Sequence, residues 1–139
     1  MPARDIYHKK VLGALKIDGW TITHDPLYLG YGGKNLYVDL GAEKTAIAAE
    51  KEGQKIAVES KSFISPSPIH DLQSAVGQYD IYRSVLSELE PERLLYLAVN
   101  QQAYENVFQE KLGQLIISKI QLRLIIFDEK IGRIIKWIS

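Results

Sequence analysis

The run Ser65-Pro66-Ser67-Pro68 separates two periodicities that cannot belong to one element. Before it, residues 55–63 alternate, with Ile56 and Val58 pointing one way and Ala57, Glu59 and Lys61 the other, which is the period of a strand. After it, Ile69, Leu72, Val76, Tyr79, Leu86 and Leu89 recur at helical spacing until Pro91. Ser67 suits the N-cap and Pro68 the first helical position, so a long helix is predicted from about Ile69 to Leu89.

The rest of the chain is placed around this junction. Residues 3–18 read as a helix with Tyr7, Val11, Ala14 and Leu15 inward and Gly19 as its stop. Residues 21–24 are β-prone, Gly30-Tyr31-Gly32-Gly33 reads as a loop, and Leu36 to Leu40 alternates with Tyr37 and Asp39 on the face opposite Leu36, Val38 and Leu40. Ala46 to Glu50 and Lys55 to Phe63 read as two arms of a hairpin turning at Glu52-Gly53. Arg93 to Val99 suits a strand buried on both faces, residues 101–118 a helix broken near Gly113, and Leu122 to Phe127 with Ile131 to Ile138 a terminal hairpin. This order gives an α/β (α+β) fold, a mixed sheet flanked by helices, in one domain spanning residues 1–139.

Composition excludes several chemistries. The chain has no cysteine, which removes thiol nucleophiles, thiolate metal sites and redox exchange. Its 17 basic and 17 acidic side chains cancel, unlike a purely electrostatic nucleic-acid binder, though a local basic patch remains open. The longest apolar run, Leu94 to Val99, is far too short to cross a bilayer, and Met-Pro-Ala-Arg-Asp lacks the form of a secretory signal. A cytoplasmic protein without membrane contact is expected. His8, His24 and His70 lack zinc-site spacing, and Ser62, Ser65 and Ser67 lack a hydrolase pattern. His8-Lys9-Lys10 reads as a solvated helix face, and Gly30 to Lys34 as a turn without phosphate-loop spacing.

The informative feature is polar: Asp39 on one strand, then Glu59 and Lys61 two residues apart on another. If these strands are neighbours, two carboxylates and an amine converge. Like charges on a partly dry surface repel unless a cation compensates, and Mg²⁺ or Mn²⁺ held by carboxylates resolves the conflict while acidifying a bound water. Lys61 is then placed to orient that water or to offset charge developing on a phosphate. The same spacing also describes solvated side chains with an ion pair of little energetic consequence. On the following helix Gln78 and Tyr82 share a face one turn apart, below Asp71, Ser74 and Ala75; the bland reading makes Tyr82 ordinary core.

These residues carry a resemblance. Ala3-Arg4-Asp5, Gly19-Trp20, Val38-Asp39-Leu40, Ala57 to Phe63, Ala75 to Tyr79 and Lys136-Trp137-Ile138 resemble the XisH family, excision controlling factors of the cyanobacterial fdxN element. The resemblance implies a restriction-endonuclease-like fold of the PD-(D/E)xK superfamily and a part in controlled DNA excision during heterocyst differentiation. The implied partners are DNA, the companion factor XisI and a site-specific recombinase. It assigns Asp39, Glu59, Lys61 and Gln78 as catalytic, Asp39, Glu59 and the Ser60 carbonyl as ligands of Mg²⁺ or Mn²⁺, and Tyr82 to a Gln-x-x-x-Tyr helix signature. Val38 stands where the motif's name has proline. Asp5 is the one early acid available on the first helix, and Lys34 is a candidate DNA-phosphate contact. Two functions follow: a metal-dependent deoxyribonuclease, or a catalytically silent regulatory module on the same fold. The apolar C-terminal hairpin leaves room for a homodimer, although burial in the chain's own core is the commoner use of such residues.

Overall fold

The computed structural model describes residues 6–44 and 53–139. The elements are α1 (His8–Ile17), β1 (Thr21–His24), β2 (Leu27–Tyr31), β3 (Lys34–Val38), β4 (Leu40–Lys44), β5 (Gln54–Ser60), α2 (Pro68–Leu89) and β6 (Arg93–Asn100). A short α3 (Gln101–Ala103), a π-helical turn (Tyr104–Phe108), α4 (Lys111–Ile120), β7 (Leu124–Asp128) and β8 (Arg133–Ile138) complete the chain. Six strands form one sheet in the order β1-β4-β5-β6-β7-β8, and β2 and β3 form a separate two-stranded hairpin. The central pairs β5/β6 and β6/β7 are parallel, and the flanking pairs are antiparallel. Parallel neighbours need long crossovers, and α2 and the α3–α4 segment supply them. The architecture is the expected mixed sheet flanked by helices. No helix among the described residues is long and apolar enough to cross a membrane.

Alternation divides the core between the two sheet faces. On one, Val11 and Leu15 of α1 pack with Trp20, Ile56, Val58, Tyr96 and Ile125. On the other, Leu72, Ala75, Tyr79 and Leu86 of α2 pack with Ala57, Leu95, Leu97 and Leu124, and the hairpin joins them through Leu27, Leu29 and Val38. Ala57 thus faces α2 while its neighbours Ile56 and Val58 face α1, and Glu59 continues the Ala57 side. The Ser67 hydroxyl caps α2 by accepting from His70 N at 3.2 Å, with Pro68 in the first turn as expected.

Several expectations need correction. Leu36 to Leu40 is not one strand: the chain bends at Asp39, leaving the hairpin for the main sheet. The antiparallel partner of β5 is Leu40–Lys44, and the expected arm Ala46 to Glu50 lies outside the described residues. Gly30 and Tyr31 belong to β2, and the turn is Gly32-Gly33, both at positive φ (57° and 76°), as a two-residue type I′ hairpin requires. His8 is buried, with Nε2 2.8 Å from Asp25, instead of solvated beside Lys9 and Lys10. Ile69 and Leu89, at the two ends of the 22-residue α2 and to either side of the stripe formed by Leu72, Ala75, Tyr79 and Leu86, are 52% and 45% exposed.

The helical break after β6 falls at Gln109-Glu110, not at Gly113. Gly113 is instead where α4 rests on the π turn: a Cβ there would overlap the Val107 carbonyl oxygen and stand 2.5 Å from Phe108 Cα. Both are main-chain atoms that cannot rotate away. Gly113→Ala is therefore expected to destabilise the fold by about 3 kcal/mol, the upper end of overpacking, as a lowered urea midpoint with an unchanged m-value.

Candidate functional site

Asp39 occupies the corner between the two sheets. The β4/β5 ladder begins at Leu40 opposite Val58, so one step further Asp39 and Glu59 stand beside each other where main-chain pairing stops. Their side chains take over the ladder's hydrogen bonds. The Asp39 amide donates to Glu59 Oε1 at 3.0 Å, and the Ser60 amide donates to Asp39 Oδ2 at 2.8 Å, joined by Ser60 Oγ at 3.1 Å. Each carboxylate thus holds the other strand's backbone in a reciprocal clasp. Charge-assisted bonds of this kind fix the orientation of both acids before any ligand arrives. Both acids are half-buried, while Ser60 is buried.

The next peptide directs a third oxygen to the same place. The Lys61 amide donates to Ala98 O of β6 at 3.1 Å, so the planar trans peptide turns the Ser60 carbonyl away from β6, toward the Asp39 side. The same bond prolongs the ladder to Lys61, and alternation puts Lys61 on the Glu59 face. Tyr82 approaches from α2. Burial first, then the negative charges of Glu59 and Asp39, pushes its phenol up to about 12. Near neutral pH it is therefore a neutral O–H donor beside two acids.

This gives a measurable consequence. Replacing Asp39 by Asn and Glu59 by Gln should lower the Tyr82 pKa part of the way toward 10, because burial, the larger cause, remains. The readout is the phenolate absorbance difference between each protein and its Tyr82→Phe counterpart. The raised pKa also means that the Tyr82 contribution to stability is present below pH 10 and is lost as pH rises toward about 12.

The donor set fits one class of cation. Two carboxylates with a main-chain carbonyl are hard oxygen ligands that leave positions for water, as Mg²⁺ and Mn²⁺ sites do. No three His, Cys, Asp or Glu side chains come together to hold a metal among the described residues. An all-side-chain zinc centre is therefore not formed by them.

Of the other candidates, Gln78 is exposed on α2 one turn before Tyr82. Lys34 begins β3, five residues from Asp39, or about 17 Å of strand, so the structure does not bring it to the acids. Asp5 lies outside the described residues. Asp71 does not share the Tyr82 environment: it is buried and accepts from Ser65 N at 3.2 Å, pinning the loop that follows Lys61. The Ser60 amide and hydroxyl were not singled out by the sequence pattern. Their role depends on β4/β5 register, and the nearest signal was a small hydroxyl residue between Glu59 and Lys61.

Comparison with known proteins agrees on one relationship. Residues 1–135 match the family described as XisH protein. The chain is 40% identical to an XisH family protein from Nostoc punctiforme PCC 73102, covering 97% of this chain and 100% of that one with a TM-score of 0.88. It is 42% identical to an fdxN element excision controlling factor protein from Anabaena variabilis, covering 98% and 100% with a TM-score of 0.86. No curated protein matches it significantly. With the match running from the first residue through the corner at Asp39 and the parallel strands β5, β6 and β7 into β8, the chain belongs to the XisH family.

Proposed function

We propose that this chain is an excision controlling factor that acts on DNA as a Mg²⁺- or Mn²⁺-dependent phosphodiester hydrolase of the restriction-endonuclease-like type. The observation that supports it most is the clasp that orients Asp39 and Glu59 side by side, with Lys61 on the same face and the Tyr82 phenol above them. A bound divalent ion supplies positive charge and an acidified water there. Asp39, Glu59 and the Ser60 carbonyl hold it. Lys61 opposes charge growing on the phosphate oxygens. Tyr82 stays protonated and donates a hydrogen bond to an oxygen at the site, and Gln78 lies one turn along α2 to contact substrate.

The test is nicking of supercoiled, branched and single-stranded DNA by the purified protein with Mg²⁺ or Mn²⁺, alone and with XisI. The double variant Asp39→Asn, Glu59→Gln is run beside it. Metal-dependent cleavage by the parent and none by the variant is the expected result; equal cleavage by both would overturn the assignment. The designation of the Anabaena variabilis relative as a controlling factor favours a second reading, in which the same fold regulates a site-specific recombinase with XisI and cuts nothing. A parent that binds metal and XisI but never cleaves would establish that reading.

A further inference from the structure

The hairpin that delivers Asp39 carries a surface the acid site does not use. In its register Tyr28 faces Tyr37 and Gly30 faces Asn35, and cross-strand partners share a face. Leu27, Leu29 and Val38 fill the other face and enter the core. The outward face is therefore aromatic. Tyr28 is 54% exposed, its ring centroid is 5.5 Å from that of Tyr37, and its hydroxyl donates to Asn35 Oδ1 at 2.8 Å.

Gly30 explains how the ring is held. A Cβ at Gly30 would overlap the Tyr28 hydroxyl and stand 2.8 Å from Tyr28 Cζ, so the ring lies across the bare main chain of Gly30. An exposed tyrosine would ordinarily rotate freely; this one has the tip of its ring lodged against Gly30 and its hydroxyl tethered to Asn35. The ordering that binding usually demands is already met. Lys34, the one charged side chain of residues 27–38, pairs with Tyr31 and so belongs to the opposite face. Tyr37 is two residues from Asp39, at most about 7 Å along the chain. An aromatic face held in place this close to the acid pair proposed to act on DNA complements a nucleotide base. Duplex bases hide their faces in the stack, so the complement is an unpaired base.

We propose that the outer face of the β2–β3 hairpin, Tyr28 laid over Gly30 with Tyr37 beside it, is a stacking platform for an unpaired base of a nucleic-acid strand leading to the Asp39–Glu59 site. This deepens the function proposed above by naming its substrate class, single-stranded or distorted DNA, and it rests on that reading.

The experiment is fluorescence anisotropy of a labelled oligothymidine at fixed salt in EDTA, where cleavage does not intervene, with an abasic strand of equal length as control. Tyr28→Ala is expected to weaken oligothymidine binding about tenfold and to leave abasic-strand binding unchanged. Gly30→Ala, which keeps both tyrosines but displaces the ring, should weaken it in the same direction, and Tyr28→Trp should restore it. Thermal unfolding confirms that each variant folds. The platform is overturned if Tyr28→Ala binds like the parent, if it loses both strands equally, or if the parent binds neither. Nicking is scored separately: a protein that never cuts yet shows the base-dependent difference removes the nuclease reading alone, and a cutting protein without that difference removes the platform alone.

Discussion

Asp39→Asn is expected to weaken Mn²⁺ binding by at least about 100-fold while the protein remains as stable as the parent. The asymmetry follows from the clasp. Asn keeps an oxygen that accepts from the Ser60 amide and hydroxyl, so the corner between β3 and β4 stays closed, but it lacks the charge that the proposed cation site requires. Asp39→Ala would be a poorer probe, because it leaves the Ser60 amide without its acceptor and costs about 1–3 kcal/mol of stability. Lys61→Met completes the comparison. It should leave Mn²⁺ affinity unchanged and lower turnover by about 10²–10³, the usual effect of removing one preorganised partner of transition-state charge. Calorimetry with Mn²⁺ and plasmid nicking measure the two halves independently. Parental Mn²⁺ affinity in Asp39→Asn would remove Asp39 from the metal site.

What could be seen in the sequence divides along the line between local period and tertiary register. Alternation within residues 55–60 put Glu59 opposite Ile56 and Val58, and the two core clusters divide in that way. The cap at Ser67 and the buried run after Arg93 are local too, and both are found, the run starting at Leu95 because Leu94 is 40% exposed. Pairing was not local. Expecting residues 46–50 beside β5 concealed that Leu40–Lys44 is its partner, and with it the step that brings Asp39 against Ser60. The β2 strand was hidden for a different reason. Glycine-rich sequence usually means a turn, but only Gly32 and Gly33 adopt positive φ, whereas Gly30 is in the ladder with Tyr28 across it. Helical spacing placed Gln78 and Tyr82 on one face of α2, yet the effect of the acids on Tyr82 depends on how α2 is rotated over the sheet.

That rotation has an anchor, and removing it is the largest stability change expected. Tyr79 is fully buried between α2 and the sheet; its hydroxyl donates to Leu95 O at 3.2 Å and accepts from Arg123 N at 3.2 Å. It thereby fastens the middle of α2 to β6 and to the residue entering β7. Tyr79→Ala removes a large aromatic from the core and leaves both main-chain groups unanswered, so a loss of about 5 kcal/mol is expected, a third or more of the stability of an ordinary domain. Tyr79→Phe keeps the volume and should cost only about 1–2 kcal/mol. Urea unfolding of the two variants separates packing from hydrogen bonding. The phenylalanine variant carries a second consequence, because Tyr82 lies three residues further along α2 and shares its placement over the acids. If the Tyr79 hydroxyl sets the rotation of α2, Tyr79→Phe should also move the Tyr82 titration from about 12 toward 10. An unchanged Tyr82 titration in a destabilised Tyr79→Phe protein would show that packing of Leu72, Ala75 and Leu86 alone sets the helix above the acid pair.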